Sequence, residues 1–247
     1  MIGWRRKGRA ATFKVLAALL VYPEQEMIDC LDEMEEILDR EALLPPAERE
    51  GLRVLMQHLR SADLLDAQAL YVRLFDQSRS LSLHLFEHSH GDSRERGQAM
   101  ANLVEHYRAY GLEVTAAELP DFLPLFLEFL STRAVDEVKP LLSETVDIVA
   151  LLRVRLERRP GPYAAVFRAI EALSPGRADE ASIRERVAGE KPDDTAKALD
   201  ESWEDKPVTF GPESSAPAGG GSGCPAAASV VERFAPRPAK PDDRWAG

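Results

Sequence analysis

Apolar residues recur along this chain at spacings of three and four, the period of a helix with one buried face. The clearest case lies between Gly91 and Gly111, where Met100, Leu103, Val104 and Tyr107 form one stripe. Asp92 followed by Glu95 has capping-box spacing, and Gly111 can take the left-handed conformation that ends a helix. Thr115 to Glu118 repeats the box. Pro120 and Pro124 follow, and proline is tolerated only in a helix's first turn, so the next helix is expected to start within Leu119 to Asp121. Phe122, Leu123, Leu125, Phe126, Leu127, Phe129 and Leu130 make that helix apolar nearly all round, with Glu128 its lone charge. Such a helix lies at a domain's centre or lines a groove for an apolar partner, and one side can do each.

The same period predicts further helices. Thr12 is the candidate cap of the first, with Phe13, Leu16, Leu19 and Leu20 inward and Pro23 as its stop. The second runs from about Glu24 to Leu43. It buries Met27, Ile28, Leu31, Met34, Ile37 and Leu38 and turns nine acids against one arginine to the outside, either as a solvated face or as a docking surface for a basic partner. Pro45-Pro46 opens a third, ending near Leu59; Ser61 or Asp63 caps a fourth over Leu64 to Asp76, with Leu70, Tyr71, Leu74 and Phe75 inward. Val135 to Arg159 reads as a long helix bent or restarted at Pro140, with Leu141, Thr145, Ile148 and Leu152 on one face. After Pro160-Gly161-Pro162, Val166, Phe167, Ile170 and Leu173 mark a last core helix, closed by Ser174-Pro175-Gly176.

Leu, Ala, Glu and Arg dominate and β-branched runs are absent, so the expected fold class is all-α, a single-domain multi-helix bundle with a disordered C-terminal tail. Residues 1–9 form a basic extension, 10–175 the bundle, 176–206 an acidic and partly helical extension, and 207–247 the tail. Short helices are expected at Ser182 to Glu185 and around Trp203. The tail has seven prolines and six glycines, too little apolar surface to offset the entropy of ordering it.

The net charge of -11 argues against nucleic acid as a partner and favours a cationic ligand. Two cysteines, Cys30 and Cys224, make no disulfide framework; Cys30, among Met27, Leu31 and Met34, reads as an inert core thiol. The basic run Trp4 to Arg9 ahead of Val15 to Tyr22 mimics a signal peptide. However, Pro23 and acids follow without a small-residue cleavage site, and the apolar stretch is too short to span a bilayer. A cytoplasmic protein with no direct membrane insertion is expected.

Four of the five histidines (His84, His88, His90 and His106) fall within Ala69 to Ser131. His84, Glu87 and His88 match H-x-x-E-H, the pattern of an inverted zinc-peptidase site. A catalytic zinc needs a third protein ligand, and no distant Glu is marked for it, although His90 is at hand. The other reading has His88 and His90 bonded to backbone at a helix–loop junction. No Ser/His/Asp or Cys/His pairing, phosphate loop or spaced carboxylate pair stands out, so the residues alone describe an acidic helical binding domain rather than an enzyme.

The stretch LDAQALYVRLFDQSRSLSLHLFEHSHGDSRERGQAMANLVEHYRAYGL, followed by ELPDFLPLFLEFL, resembles the NarJ-type chaperones of the wider TorD-like family. TFKVLAALLVYP is similar to that family's first helix and DDTAKALDESWED to its acidic C-terminal segment. The resemblance implies a chaperone that binds the N-terminal segment of the nitrate reductase alpha (catalytic) subunit. It would hold that segment for molybdenum-cofactor and iron–sulfur insertion, delay its docking on the membrane subunit, and take no part in the finished enzyme. Molybdenum-cofactor biosynthesis proteins are implied as further partners, and no cofactor of its own. A zinc-dependent hydrolase, or a chaperone for another molybdoenzyme, is the alternative. The family's E-x-P-D-H-type motif maps onto Glu118, Leu119, Pro120 and Asp121, with Phe122 where the motif has histidine. The expected groove takes Phe122, Leu125, Phe126 and Phe129 as apolar wall and Glu118 and Asp121 to face basic groups of the client, with Leu119 also among the client-binding residues. Phe86, Glu87, His88 and His90 form the accompanying family-motif loop.

Overall fold

A computed structural model of the chain describes residues 10–89, 94–114, 118–191, 193 and 195. Its helices are α1 (Ala11–Ala18), α2 (Gln25–Asp29), α3 (Leu31–Glu41), α4 (Pro46–Ser61), α5 (Leu64–Tyr71), α6 (Leu85–Ser89), α7 (Arg94–Ala109), α8 (Leu123–Ser131), α9 (Val135–Leu156), α10 (Ala164–Leu173) and α11 (Glu180–Ala188). A π-turn over Val72–Asp76 extends α5, and a 3-10 turn over Arg79–Leu81 leads towards α6. No strand occurs among the described residues, as an all-α bundle requires; one isolated antiparallel bridge joins His84 to Phe122.

Helix α1 packs on α8 and α3, while α10 packs on both α9 and α4. Leu16, Leu19 and Leu20, the inward stripe of the first helix, are fully buried, as are Phe126, Leu127 and Leu130 of α8. The apolar α8 is therefore mostly a core helix. Pro46 begins α4, where its missing N–H costs nothing, and the Asp63 carboxylate accepts the Leu65 N–H at 2.9 Å to cap α5. Gly111, at φ +76°, takes the left-handed backbone just beyond α7.

Several local expectations change. The second helix breaks at Cys30, whose N–H turns back to the Met27 carbonyl; Leu31 goes inward and Cys30 is exposed, so it is not a core thiol. Thr12 does not cap α1. Instead Glu41, at the end of α3, accepts the Ala11 and Thr12 N–H groups, each at 2.8 Å, and the Thr12 hydroxyl at 2.7 Å. One of the outward acids is thus the cap of another helix. Helix α9 runs through Pro140, and its buried line is Leu142, Thr145, Val149 and Leu152, leaving Leu141 and Ile148 half-buried.

Helix α8 begins at Leu123, later than Leu119 to Asp121, because the residues before it bond across to another segment. Asp92 and Thr115, the starts of both expected boxes, lie outside the described residues, as do the stretch around Trp203 and the tail. Beyond Ser174-Pro175-Gly176, α11 packs back on α9, with Val187 buried against Leu151 and Val154. No described helix is long and apolar enough to cross a membrane.

Glu41→Ala removes the acceptor for two helix-start N–H groups and should cost about 1–2 kcal/mol in urea unfolding. Glu41→Gln, which keeps one acceptor oxygen, should lose less. An unchanged midpoint for Glu41→Ala would show that α1 needs no acceptor from α3.

Candidate functional site

The segments carrying the motif residues are pinned together by backbone. Leu85 donates its N–H to the Asp121 carbonyl at 3.0 Å, and Leu123 donates to the Leu83 carbonyl at 2.8 Å. A short antiparallel contact therefore sets the first turn of α6 beside the turn before α8. The Tyr107 hydroxyl, deep in α7, donates to the Pro120 carbonyl at 2.9 Å and holds that turn from the other side.

Asp121 is the centre of this arrangement and is 0% exposed. One carboxylate oxygen accepts the Phe86 N–H at 3.0 Å, capping α6 from a distant part of the chain. The other lies 3.3 Å from His84 Nδ1, and the Arg96 guanidinium approaches to 4.0 Å. A buried carboxylate needs such partners, since an unpaired one would be strongly destabilising. Asp121 therefore cannot face a client, contrary to the expected groove.

The two imidazoles of the H-x-x-E-H pattern have opposite environments. The hydrogen bond to Asp121 raises the His84 pKa above its ordinary value, against the opposing effect of burial. Burial lowers the His88 pKa. His88 Nε2 lies 2.7 Å from the Ser82 carbonyl, which can only accept, so Nε2 carries the proton. His88 Nδ1 then presents its lone pair to the Arg155 guanidinium at 3.3 Å. Glu87 pairs with Arg96 at 3.2 Å. His84, Glu87 and His88 thus point to separate partners, and among the described residues no group of three or more His, Cys, Asp or Glu is placed to hold a metal ion. His90 lies outside the described residues.

The remaining groove residues divide by exposure. Phe126 and Phe129 are buried in the core, as is Phe86, so they cannot form an open wall. Phe122 and Leu125 are half-buried, while Glu118 is exposed and Leu119 is 47% exposed. Phe122, standing where the family motif has histidine, packs its ring on His84 with centroids 5.3 Å apart. An imidazole does lie beside the motif, supplied from across the bridge. The exposed surface also includes Tyr110, covered by Arg133 at 4.4 Å, and Tyr22, which packs edge-on against Tyr71. Sequence reasoning missed Arg96 and Arg155. The signal for Arg155 was its place, with Arg153, among the apolar residues of the run Leu151 to Leu156.

A helical bundle pinned in this way has the fold of a protein from Archaeoglobus fulgidus assigned as a candidate redox enzyme maturation protein, with a TM-score of 0.50 at 22% identity over 69% of this chain and 97% of that one. Residues 41–169 match the nitrate reductase delta subunit family, to which the chain belongs. It is 40% identical over 196 residues to the nitrate reductase molybdenum cofactor assembly chaperone NarJ of Escherichia coli K12, covering 79% of this chain and 83% of the relative. Identity is 39% over 197 residues to the probable assembly chaperone NarW of the same strain, covering 80% and 82%. The probable assembly chaperone NarJ of Bacillus subtilis is 28% identical over 185 residues, or 73% of this chain and 95% of that one. These relatives are chaperones rather than catalysts, and on that kinship the chain is not an enzyme.

Because the His84 pKa is raised, its contribution to stability is complete below the ordinary value of about 6.5 and is lost as pH rises through the higher folded value. Proton NMR should therefore show His84 titrating above 6.5 in the native protein and nearer 6.5 in Asp121→Asn, with His88 below it in both. The stability lost in Asp121→Asn should shrink as pH rises through the His84 transition. Asp121→Ala, which also strands the Phe86 N–H, should cost about 3 kcal/mol. A His84 titration insensitive to Asp121→Asn would refute the pairing.

Proposed function

We propose that the chain is an assembly chaperone for nitrate reductase, acting in the cytoplasm on the catalytic subunit before that subunit reaches the membrane. It binds the client's N-terminal segment and holds the apo-enzyme while molybdenum cofactor and iron–sulfur centres are inserted. Molybdenum-cofactor biosynthesis proteins meet the client on this platform. Kinship with NarJ over most of both chains carries the reading. The geometry supports it with a rigidly held turn that turns Glu118 and Leu119 outward, beside the half-buried Phe122 and Leu125.

Magnitudes say what such a surface needs. Three apolar anchors on a client helix contribute roughly 1.5–3 kcal/mol each. Ordering the peptide takes back about 2–5 kcal/mol. A micromolar complex needs about 8 kcal/mol. Apolar contact alone falls short of that, so the acidic groups of a chain with net charge -11 should contribute through basic groups on the client.

Calorimetry with a synthetic peptide of the client's N-terminus should show affinity falling as salt rises. Leu119→Arg should weaken binding by about tenfold without changing the melting temperature, because Leu119 is not part of the core. Phe126→Ala should instead destabilise the fold itself, by about 3 kcal/mol. A flat salt response together with full affinity in Leu119→Arg would move the client surface elsewhere. Stronger binding to the corresponding peptide of another molybdoenzyme would change the client.

A further inference from the structure

On the far side of α6 the chain builds a second site of opposite charge. The last turn of α9 supplies Arg155 and the turn after it Arg158 and Arg159, the segment between the π-turn and α6 supplies Ser78 and Ser80, and the residues after α11 supply Lys191. All of these but Ser78 line a cleft of about 100 Å³, together with Val187 and Glu190. The concentration of cations is unexpected in a chain whose 42 acids outnumber 31 bases.

Two carboxylates from the segment following α11 already reach into this site. Asp193 accepts the Ser80 N–H at 2.8 Å, the Ser78 hydroxyl at 2.9 and 3.0 Å, and an Arg159 N–H at 2.6 Å. Ser78 is 1% exposed, so its hydroxyl is a built and desolvated donor rather than a surface group. Glu190 takes the Arg155 fork, at 2.8 Å from Nε and 2.5 Å from Nη2, while Arg155 Nη1 donates to the Ser80 carbonyl at 2.7 Å. Burial alone would raise the Asp193 pKa, but the hydrogen bonds from Ser80 and Ser78 and the Arg159 charge lower it. Among the described residues, Arg158 and Lys191 make no ion pair, although Arg158 donates to the Val187 carbonyl.

A hydroxyl, a backbone N–H and one guanidinium converge on Asp193, with the Arg155 fork beside them on Glu190, and such donors match the oxygens of a phosphate group as well as those of a carboxylate. We propose that this cleft is a receptor for the phosphate group of a small phosphorylated molecule, and that Asp193 and Glu190 are an internal plug standing in for it. Binding displaces the two carboxylates, and the plug in turn keeps the site closed to weak anions. The free cleft beside the two carboxylates is only about 100 Å³, too small for a folded partner. The site is separate from the Glu118–Leu119 surface and stands or falls without it.

The test uses the full chain and its Glu190→Gln/Asp193→Asn variant, each titrated calorimetrically with inorganic phosphate and with adenosine monophosphate. The variant should bind at least one of them about tenfold more tightly than the native chain, because neutral amides compete less well for Arg155 and Arg159. Tight binding of inorganic phosphate alone identifies the free ion as ligand; tighter binding of the monoester identifies an organic phosphate. Adding Arg159→Gln should remove the gain. In the native chain, phosphate should also shift the Ser80 amide resonance saturably, which tests the site even if the variant is unstable. Equal affinity in native and variant proteins, a gain that survives Arg159→Gln, or an unmoved Ser80 amide overturns the proposal.

Discussion

The structure depends on keeping the Asp121 carboxylate out of water. A buried charge is tolerated only where surrounding groups replace its hydration, and three do so here: the Phe86 N–H, His84 Nδ1 and, further off, Arg96. To meet those groups the chain before α8 must lie against the chain before α6. That requirement produces the backbone bridge between His84 and Phe122 and the late start of α8. It also decides what the surface shows. With Asp121 and Pro120 held inward, Glu118 and Leu119 can only turn out. The motif therefore works as a fixture first, and its contact residues are those that the fixture leaves exposed.

The same device recurs. Glu41 satisfies the first N–H groups of α1 from 30 and 29 residues away, Asp121 satisfies Phe86 from 35, and Asp193 satisfies Ser80 from 113. This explains which parts of the fold can be read from the chain. Caps that lie beside their own helix, such as Asp63 before α5, are visible as a local pattern, as are Pro46 at the start of α4 and Gly111 after α7. A cap supplied from a distant segment leaves no local trace. Glu41 looks like one more solvated acid, and Thr12 looks like the missing cap. The apolar period finds α8 and its residues but not its face towards the core, because a helix apolar nearly all round carries no phase. Phe126 and Phe129 therefore look equally suited to a groove until their burial is known.

The histidines show how one pattern can hold two unlike groups. His84 and His88 have metal-ligand spacing, yet one donates to a carboxylate and the other is buried with its lone pair towards a guanidinium. Spacing fixes which side chains are near one another on a helix; charge state comes from elements that the spacing does not include. Here those elements are the turn before α8 for His84, and α9 with Ser82 for His88.

Arg155 connects the two sides of α6. Its guanidinium touches His88 Nδ1, the Ser80 carbonyl and Glu190, so the region after α11 is tied through it to the helix that Asp121 caps. A change in what occupies the Arg155 fork must alter the electrostatic field on His88, because no more than one side chain separates them. The two surfaces share a short helix whose Glu87 acts on both His84 and His88, and an outward apolar turn and a cationic cleft lie close together in one acidic chain.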